Sequence, residues 1–385
     1  MKRVLLVLGT RPEAIKMAPL INEFKASKSF EVLVAVTGQH REMLDQVLDL
    51  FGIVPDYDLN IMAPDQDLFD VTSAILTGMR NVLKVSHPDI VLVHGDTATT
   101  ISASLAAFYA QIDIGHIEAG LRTHNLISPW PEEGNRQLTS RLTRWHFAPT
   151  QRNRIDLLAE GIPDENIVVT GNTVIDAMHW VIDEVSSSIE LQRTMQRALS
   201  LAGLGIDARN NRYVLVTGHR RENFGDGFQN ICVALGDLAI SHPSTHFVYP
   251  VHLNPNVQKP VNELLSGINN IHLIKPLRYE HFVWLMQNAY LVLTDSGGVQ
   301  EEAPGLGKPV LVMRDTSERP EGIEAGTVKL VGTSKCKIIS WVNMLLEDPI
   351  LYGSMSKAIN PYGDGKASKR IVKYIKDKLL SLIHI

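Results

Sequence analysis

The chain has 385 residues, 44% of them hydrophobic, and a formal net charge of −5 at neutral pH. That length exceeds the roughly 250–300 residues at which single cores stop growing, so two domains are expected; the mild acidity and the lack of a long basic run exclude a broad nucleic-acid footprint. Cys232 and Cys336 are the only cysteines, too few for a disulfide framework and outside any Cys-x-x-Cys spacing, which points to a cytosolic setting without redox or zinc chemistry.

Met1-Lys2-Arg3 followed by the apolar residues 4–8 begins like a secretory signal. The run is shorter than the ~7–15 residues of such a segment, and Gly9-Thr10-Arg11 interrupts it, so it reads as a strand. Similar runs rich in Val, Ile and Leu recur at 32–36, 90–93, 112–117, 146–148 and 167–169, separated by longer amphipathic stretches. Near-continuous apolar runs suit strands covered on both faces by helices, hence a parallel sheet. An amphipathic stretch follows at 181–201, and a second series of strands begins at 213–217, continuing at 246–250, 271–274, 290–294, 310–313 and 327–330. The boundary is placed near Gly171-Asn172, giving a first domain of 1–171 and a second of 172–365. Beyond the break Asn360-Pro-Tyr-Gly-Asp-Gly365, residues 366–383 have the spacing of a terminal amphipathic helix. No stretch approaches the ~20 apolar residues of a membrane span.

In open parallel sheets ligands bind beyond the carboxyl ends of the strands. The strand ending at Thr294 runs into Asp295-Ser296-Gly297-Gly298 and then a helix, a turn that aims bare N–H groups and a positive dipole end at its ligand, as a phosphate requires. The turn Gly9-Thr10-Arg11-Pro12-Glu13 follows the same logic near the N-terminus, so both turns are expected to face one phosphorylated ligand. Other strand ends carry Lys16, His94-Gly95-Asp96, Glu118, His219-Arg220-Arg221 and His252, and a further loop carries Pro131-Glu132-Glu133-Gly134-Asn135-Arg136. Carboxylates repel phosphate at close range, so Asp96, Glu118 and Glu132 are expected to transfer protons on a neutral part of the ligand.

Plainer roles compete. Asp96 and Glu118 suit N-capping or structural ion pairs, Glu132 and Glu133 suit helical pairs with Arg136, His219 suits an exposed surface, and His252 suits a turn. Of Glu301 and Glu302, only one can point to the turn above; Glu302, about one helical turn beyond Gly298, is the better placed. Asp65-Gln66-Asp67 imitates a metal-binding Asp-x-Asp but does not end an apolar strand, and Gly363-Asp-Gly365-Lys366 lacks the spacing of a P-loop. No metal site and no dinucleotide cradle are expected.

Taken together, Gly9-Thr10-Arg11-Pro12-Glu13, His94-Gly95-Asp96-Thr97, His116-Ile117-Glu118-Ala119-Gly120-Leu121-Arg122, Pro131-Glu132-Glu133-x-Asn135-Arg136, Gly218-His219-Arg220-Arg221-Glu222-Asn223 and Asp295-Ser296-Gly297-Gly298-x-Gln300-Glu301-Glu302 resemble the non-hydrolysing UDP-N-acetylglucosamine 2-epimerases. The resemblance implies an α/β fold of two doubly wound, Rossmann-like domains of GT-B type, an interdomain active site, and residues 366–385 packing back on the first domain. It implies interconversion of UDP-GlcNAc and UDP-ManNAc by elimination of UDP to 2-acetamidoglucal and re-addition, supplying precursors for surface polysaccharide. It also implies no cofactor, no nucleic-acid or membrane partner, and a cytoplasmic homodimer.

By that resemblance Asp96, Glu118, Glu132, Lys16, Arg136 and His219 are the catalytic set. Arg11, His219, Arg220, Phe282, Ser296, Gly297, Gly298 and Glu302 hold UDP. Gln39, Arg41 and His252 match an activator site for a second UDP-GlcNAc in some members, although the 63–67 loop lacks an arginine associated with it there. Epimerisation of another UDP-2-acetamido sugar, such as a 2,3-diacetamido uronic acid, is the nearest rival, followed by a GT-B glycosyltransferase and a nucleotide-sugar sensor.

Overall fold

The computed structural model describes residues 1–38, 41–63 and 65–380, the side chains of Arg41 and Glu42 excepted. It divides into two compact units, one comprising Met1–Ala177 with the segment from Gly363 onward, the other Met178–Tyr362.

In the first unit, seven parallel strands, β1 Lys2–Leu8, β2 Phe30–Val36, β3 Tyr57–Asp58, β4 Ile90–His94, β5 Asp113–Ile117, β6 Trp145–Ala148 and β7 Ile167–Val169, form a sheet ordered β3-β2-β1-β4-β5-β6-β7. Val4 to Leu8 and Ile90 to Val93 are buried throughout, as strands sandwiched between helix layers must be. The two-residue β3 carries no apolar run. It exists because Tyr57 and Asp58 pair with Ala35 and Val36 at the sheet edge. Asp67 caps the helix Leu68–Ser86 by accepting from the amides of Phe69 (2.8 Å) and Asp70 (3.0 Å), an ordinary use for the Asp65-Gln66-Asp67 segment.

The second unit repeats the plan with six parallel strands, β8 Tyr213–Thr217, β9 His246–Pro250, β10 Ile271–Ile274, β11 Leu291–Thr294, β12 Val310–Val312 and β13 Val328–Leu330, ordered β10-β9-β8-β11-β12-β13. Val214, Val216, Phe228, Leu235, Phe247, Leu291, Leu293 and Leu311 are among the residues of its core.

The amphipathic stretch at 181–201 is not one helix. It belongs to two, Thr173–Ser186 and Ile189–Ala202, because Ser187-Ser188 interrupts the pattern and the Ser188 hydroxyl accepts from the Leu191 amide at 3.4 Å to start the second. The terminal helix Ala367–Leu380 packs against Arg11–Ser27 within the first unit, and the Asp176 carboxylate receives the amides of Ala367 (3.1 Å) and Ser368 (2.8 Å) at its start. Among the described residues no helix is long and apolar enough to cross a membrane.

Each sheet reverses its winding direction once, between β1 and β4 and between β8 and β11. The residues following those strands therefore open crevices in which α/β sheets bind ligands.

Candidate active site

In the first unit the chain leaves β4 through Gly95 to Asp96 and leaves β5 directly into Glu118. Glu118 has φ of +62°, a left-handed conformation that costs a non-glycine residue roughly 1–2 kcal/mol. Its surroundings fix it there. Arg136 donates through Nη1 to the Glu118 carbonyl and through Nη2 to Oε1 at 3.3 Å. Lys16 Nζ and Asn172 Nδ2, the latter at 2.9 Å, both donate to Oε2. The same guanidinium reaches Asp96 Oδ2 through Nη2 (2.5 Å) and Nε (3.1 Å), while Asn135 Nδ2 donates to the Asp96 carbonyl at 2.9 Å. One arginine thus ties two strand ends together.

Burial alone would push the Glu118 carboxyl up, yet Lys16, with His94 and Arg136, holds it well below the usual carboxylate range. Burial also works against the Arg136 guanidinium, and Asp96 and Glu118 more than compensate. Glu132 stands apart. It opens the helix Glu132–Leu142, and its Oε2 is buried without a hydrogen-bond partner among the described residues. The helical pairing of Glu132 and Glu133 with Arg136 does not form, because Arg136 is committed to Asp96 and Glu118. Glu133 instead accepts from the Thr123 amide (3.0 Å) and Gln137 Nε2 (2.8 Å), fastening the preceding loop. The carboxylates therefore have two kinds of surroundings: Asp96 and Glu118 are paired with cations, and Glu132 has no partner at Oε2 among the described residues.

His94 completes the group. Neither ring nitrogen has a hydrogen-bond partner among the described residues, Nε2 lies 3.7 Å from Glu118 Oε2, and burial lowers its pKa to about 4 against the attraction of Glu118. Its folded value lies below its unfolded value near 6.5, so the unfolded chain binds the extra proton and stability rises with pH between about 4 and 6.5. The full difference amounts to roughly 3 kcal/mol. Replacing His94 by Gln should flatten the urea midpoint across that window; an unchanged slope would assign the pH dependence elsewhere.

The N-terminal turn departs from expectation. The amides of Gly9 and Thr10 donate to Glu13 Oε2 at 2.8 and 2.7 Å, and the Thr97 hydroxyl donates to Oε1 at 2.5 Å. These amides are satisfied by the protein's own carboxylate, so they offer an anion nothing. The turn serves packing: a Cβ on Gly9 would fall 2.2 Å from Thr99 Oγ1 and 2.3 Å from Thr37 Oγ1. Arg11 is half-buried beside it.

In the second unit the turn after β11 opens a helix whose first amides are left uncapped by any side chain. Asp295, fully buried, accepts through Oδ2 from the amides of His219 (2.8 Å) and Arg220 (2.8 Å) and from Asn223 Nδ2 (3.2 Å), drawing the loop after β8 against the end of β11. Ser296 donates its amide to Thr294 Oγ1 at 2.9 Å. The helix Gly297–Gly305 has no side-chain cap, so the amides of Gly297, Gly298 and Val299 have no partner within the helix and form its positive end. Glu302 Oε1 accepts from the Tyr279 hydroxyl at 2.9 Å, and its Oε2 lies 3.9 Å from where a Cβ on Gly298 would stand. Glu301 turns away to Arg319 Nε at 2.8 Å. Phe282 sits half-buried one turn beyond Tyr279 on the helix Tyr279–Asn288. The His219 ring stacks on His252 at 5.2 Å, and Arg220 Nε is buried without a partner among the described residues. Of the activator residues only His252 falls within the described structure; Gln39 and the Arg41 side chain lie outside it.

Sequence reading passed over four residues that the geometry brings in. Asn172 was legible only as a boundary and His94 only as part of a motif. Glu13 carried a signal, since Thr10-Arg-Pro-Glu13 has the Thr-x-x-Glu spacing of a capping box. Arg319 carried none: its guanidinium stands 3.3–3.5 Å from where a Cβ on Gly297 would be, a proximity only the fold creates.

A sequence model of the family described as UDP-N-acetylglucosamine 2-epimerase matches residues 22–376. The chain is 60% identical over 376 residues to a protein of Ralstonia nicotianae named probable UDP-N-acetylglucosamine 2-epimerase, covering 98% of this chain and 99% of that one. It is 57% identical over 380 residues to the UDP-N-acetylglucosamine 2-epimerase of Escherichia coli K12, covering 99% and 100%. Its fold matches the crystal structure of UDP-GlcNAc 2-epimerase from Neisseria meningitidis bound to UDP-GlcNAc with a TM-score of 0.88 and 53% identity, over 97% of this chain and 99% of that one.

Proposed function

The chain belongs to the UDP-N-acetylglucosamine 2-epimerase family, and from that premise we propose how its residues divide the work of inverting C2 of UDP-GlcNAc. The product is UDP-ManNAc and the reaction is reversible. The C1–O bond breaks with its electron pair moving to the β-phosphate oxygen, a carboxylate removes the C2 proton, and 2-acetamidoglucal and UDP result. Returning a proton to the opposite face of C2 and re-adding UDP at C1 completes the inversion.

The UDP end is assigned to the second unit. The amides of Gly297 and Gly298, with Ser296, Arg220, Arg319 and His219, meet the charge of the diphosphate, Arg11 adds a further cation, Phe282 flanks the nucleoside, and Glu302 takes ribose hydroxyls. The sugar end is assigned to Asp96, Glu118 and Glu132, positioned by Lys16 and Arg136. The observation that carries this reading is the contrast between the clamped Asp96 and Glu118 and the unpartnered Oε2 of Glu132. Proton exchange at one carbon from two faces calls for carboxylates in different surroundings.

Incubation with UDP-GlcNAc in deuterated water, without added metal or NAD, should give UDP-ManNAc carrying deuterium at C2 by NMR. Epimerisation with the C2 proton retained would rule out the elimination route. The working form is placed in the cytoplasm as a homodimer, for which light scattering at micromolar concentration should give twice the chain mass; a monomeric mass would refute that assembly.

A further inference from the structure

Asp295 uses its two oxygens unequally. Oδ2 accepts three hydrogen bonds from the loop after β8, whereas Oδ1, equally shielded from solvent, accepts none among the described residues. A buried carboxylate oxygen left without a donor is costly. What faces it is His219 Nδ1, at 3.6 Å. The ring lies nearly parallel to that of His252, at 13°, so its plane is set by the stack and its Nδ1 edge by Asp295, while 42% of the side chain remains exposed.

We propose that Asp295 and His219 form a dyad that takes up a proton when a diphosphate reaches the Gly297–Gly305 helix end. Asp295 is then a positioning residue. Its Oδ1 receives Nδ1–H, which leaves Nε2–H for the β-phosphate. This rests on the assignment of UDP to the second unit.

The ring is poised for such a change. Asp295 favours the imidazolium; His252 across the stack and Arg220 on the same loop oppose it. Burial is the largest influence of all and, with these two, holds the imidazole below its ordinary value in the ligand-free protein. A diphosphate offsets Arg220 and attracts the imidazolium, reversing the balance. The proton comes from solvent. When the C1–O bond breaks, the electron pair passes to the β-phosphate oxygen and the Nε2–H hydrogen bond meets the added charge, so no proton is consumed. It returns to solvent when the nucleotide leaves.

The test follows the His219 Cε1–H resonance against pH in histidine-labelled protein, assigned by its loss in His219→Asn, without and with saturating UDP. The midpoint should lie below that of an ordinary imidazole in free protein and rise by about one pH unit or more with UDP. In Asp295→Asn the amide oxygen keeps the three bonds of Oδ2 and the amide nitrogen faces Nδ1, so the rise should vanish. With it kcat should fall about a hundredfold, and UDP affinity should change by less than about threefold. A midpoint unmoved by UDP, in protein whose other resonances report UDP bound, overturns the dyad. An undiminished rise in Asp295→Asn overturns it as well. If Asp295→Asn does not fold, the wild-type titration decides alone. Failure of UDP to perturb any histidine resonance overturns the UDP assignment itself, and the dyad with it.

Discussion

Replacing Glu132 by glutamine is expected to lower kcat about a thousandfold while UDP affinity stays within about threefold of wild type. The substitution keeps shape and removes the ability to take or give a proton. Because Glu132 Oε2 engages no partner among the described residues, the substitution breaks no hydrogen bond at that oxygen, and thermal stability should hardly change. Glu118→Gln should lose comparable activity for a different mixture of reasons. It removes a carboxylate and with it the negative charge that Lys16 pairs with in a poorly solvated place. The two variants are separated by measuring stability together with C2 deuterium exchange in each direction. A Glu132→Gln protein that turned over at the wild-type rate would remove Glu132 from proton transfer. The same outcome for Glu118→Gln would reduce that residue to a holder of Lys16 and Arg136.

How far the sequence reaches depends on which interaction makes each feature. Strands covered on both faces announce themselves, because every position must be apolar; the runs at 4–8, 90–93, 213–217 and 290–294 appear within a residue or two of their strands. The edge strand Tyr57–Asp58 does not, since a partner on one side defines it and no apolar pattern is required. The same division holds at the site. Residues directly after strands, such as Asp96, Glu118, His219 and Ser296, were legible because the fold class dictates where strand ends lie. Partners supplied from elsewhere in the chain, Asn172 to Glu118 and Arg319 to Glu301, are juxtapositions of three dimensions. The turn after β1 misled for a chemical reason. Its Gly-Thr sequence suits an anion, but the anion is Glu13, four residues along the same chain.

Arg136→Met is expected to abolish measurable turnover and to destabilise the first unit by about 3–5 kcal/mol, the usual cost of removing one partner of a buried charged group. Arg136 is 3% exposed and serves Asp96, both the carbonyl and the carboxylate of Glu118, and through the first of these the left-handed backbone at Glu118. Methionine fills the stem and supplies none of the donors. Lys16 would remain for Glu118, while Asp96 would lose the cation it pairs with. Arg136→Met/Asp96→Asn should therefore be more stable than Arg136→Met alone, by about 1 kcal/mol given the partial exposure of Asp96, although it carries one substitution more. The pH dependence has a definite sign. In wild type the depressed Glu118 value contributes stability above about 4.5, its ordinary range, and that contribution is lost as pH falls below it. The gap between wild type and Arg136→Met should hence be widest near neutrality and narrow in acid. Amide exchange in β4 and β5 should report the loss, with β8 and β11 as an internal control. Equal loss in both units, or a double variant less stable than the single, would show that Arg136 acts by packing rather than by neutralising the two carboxylates.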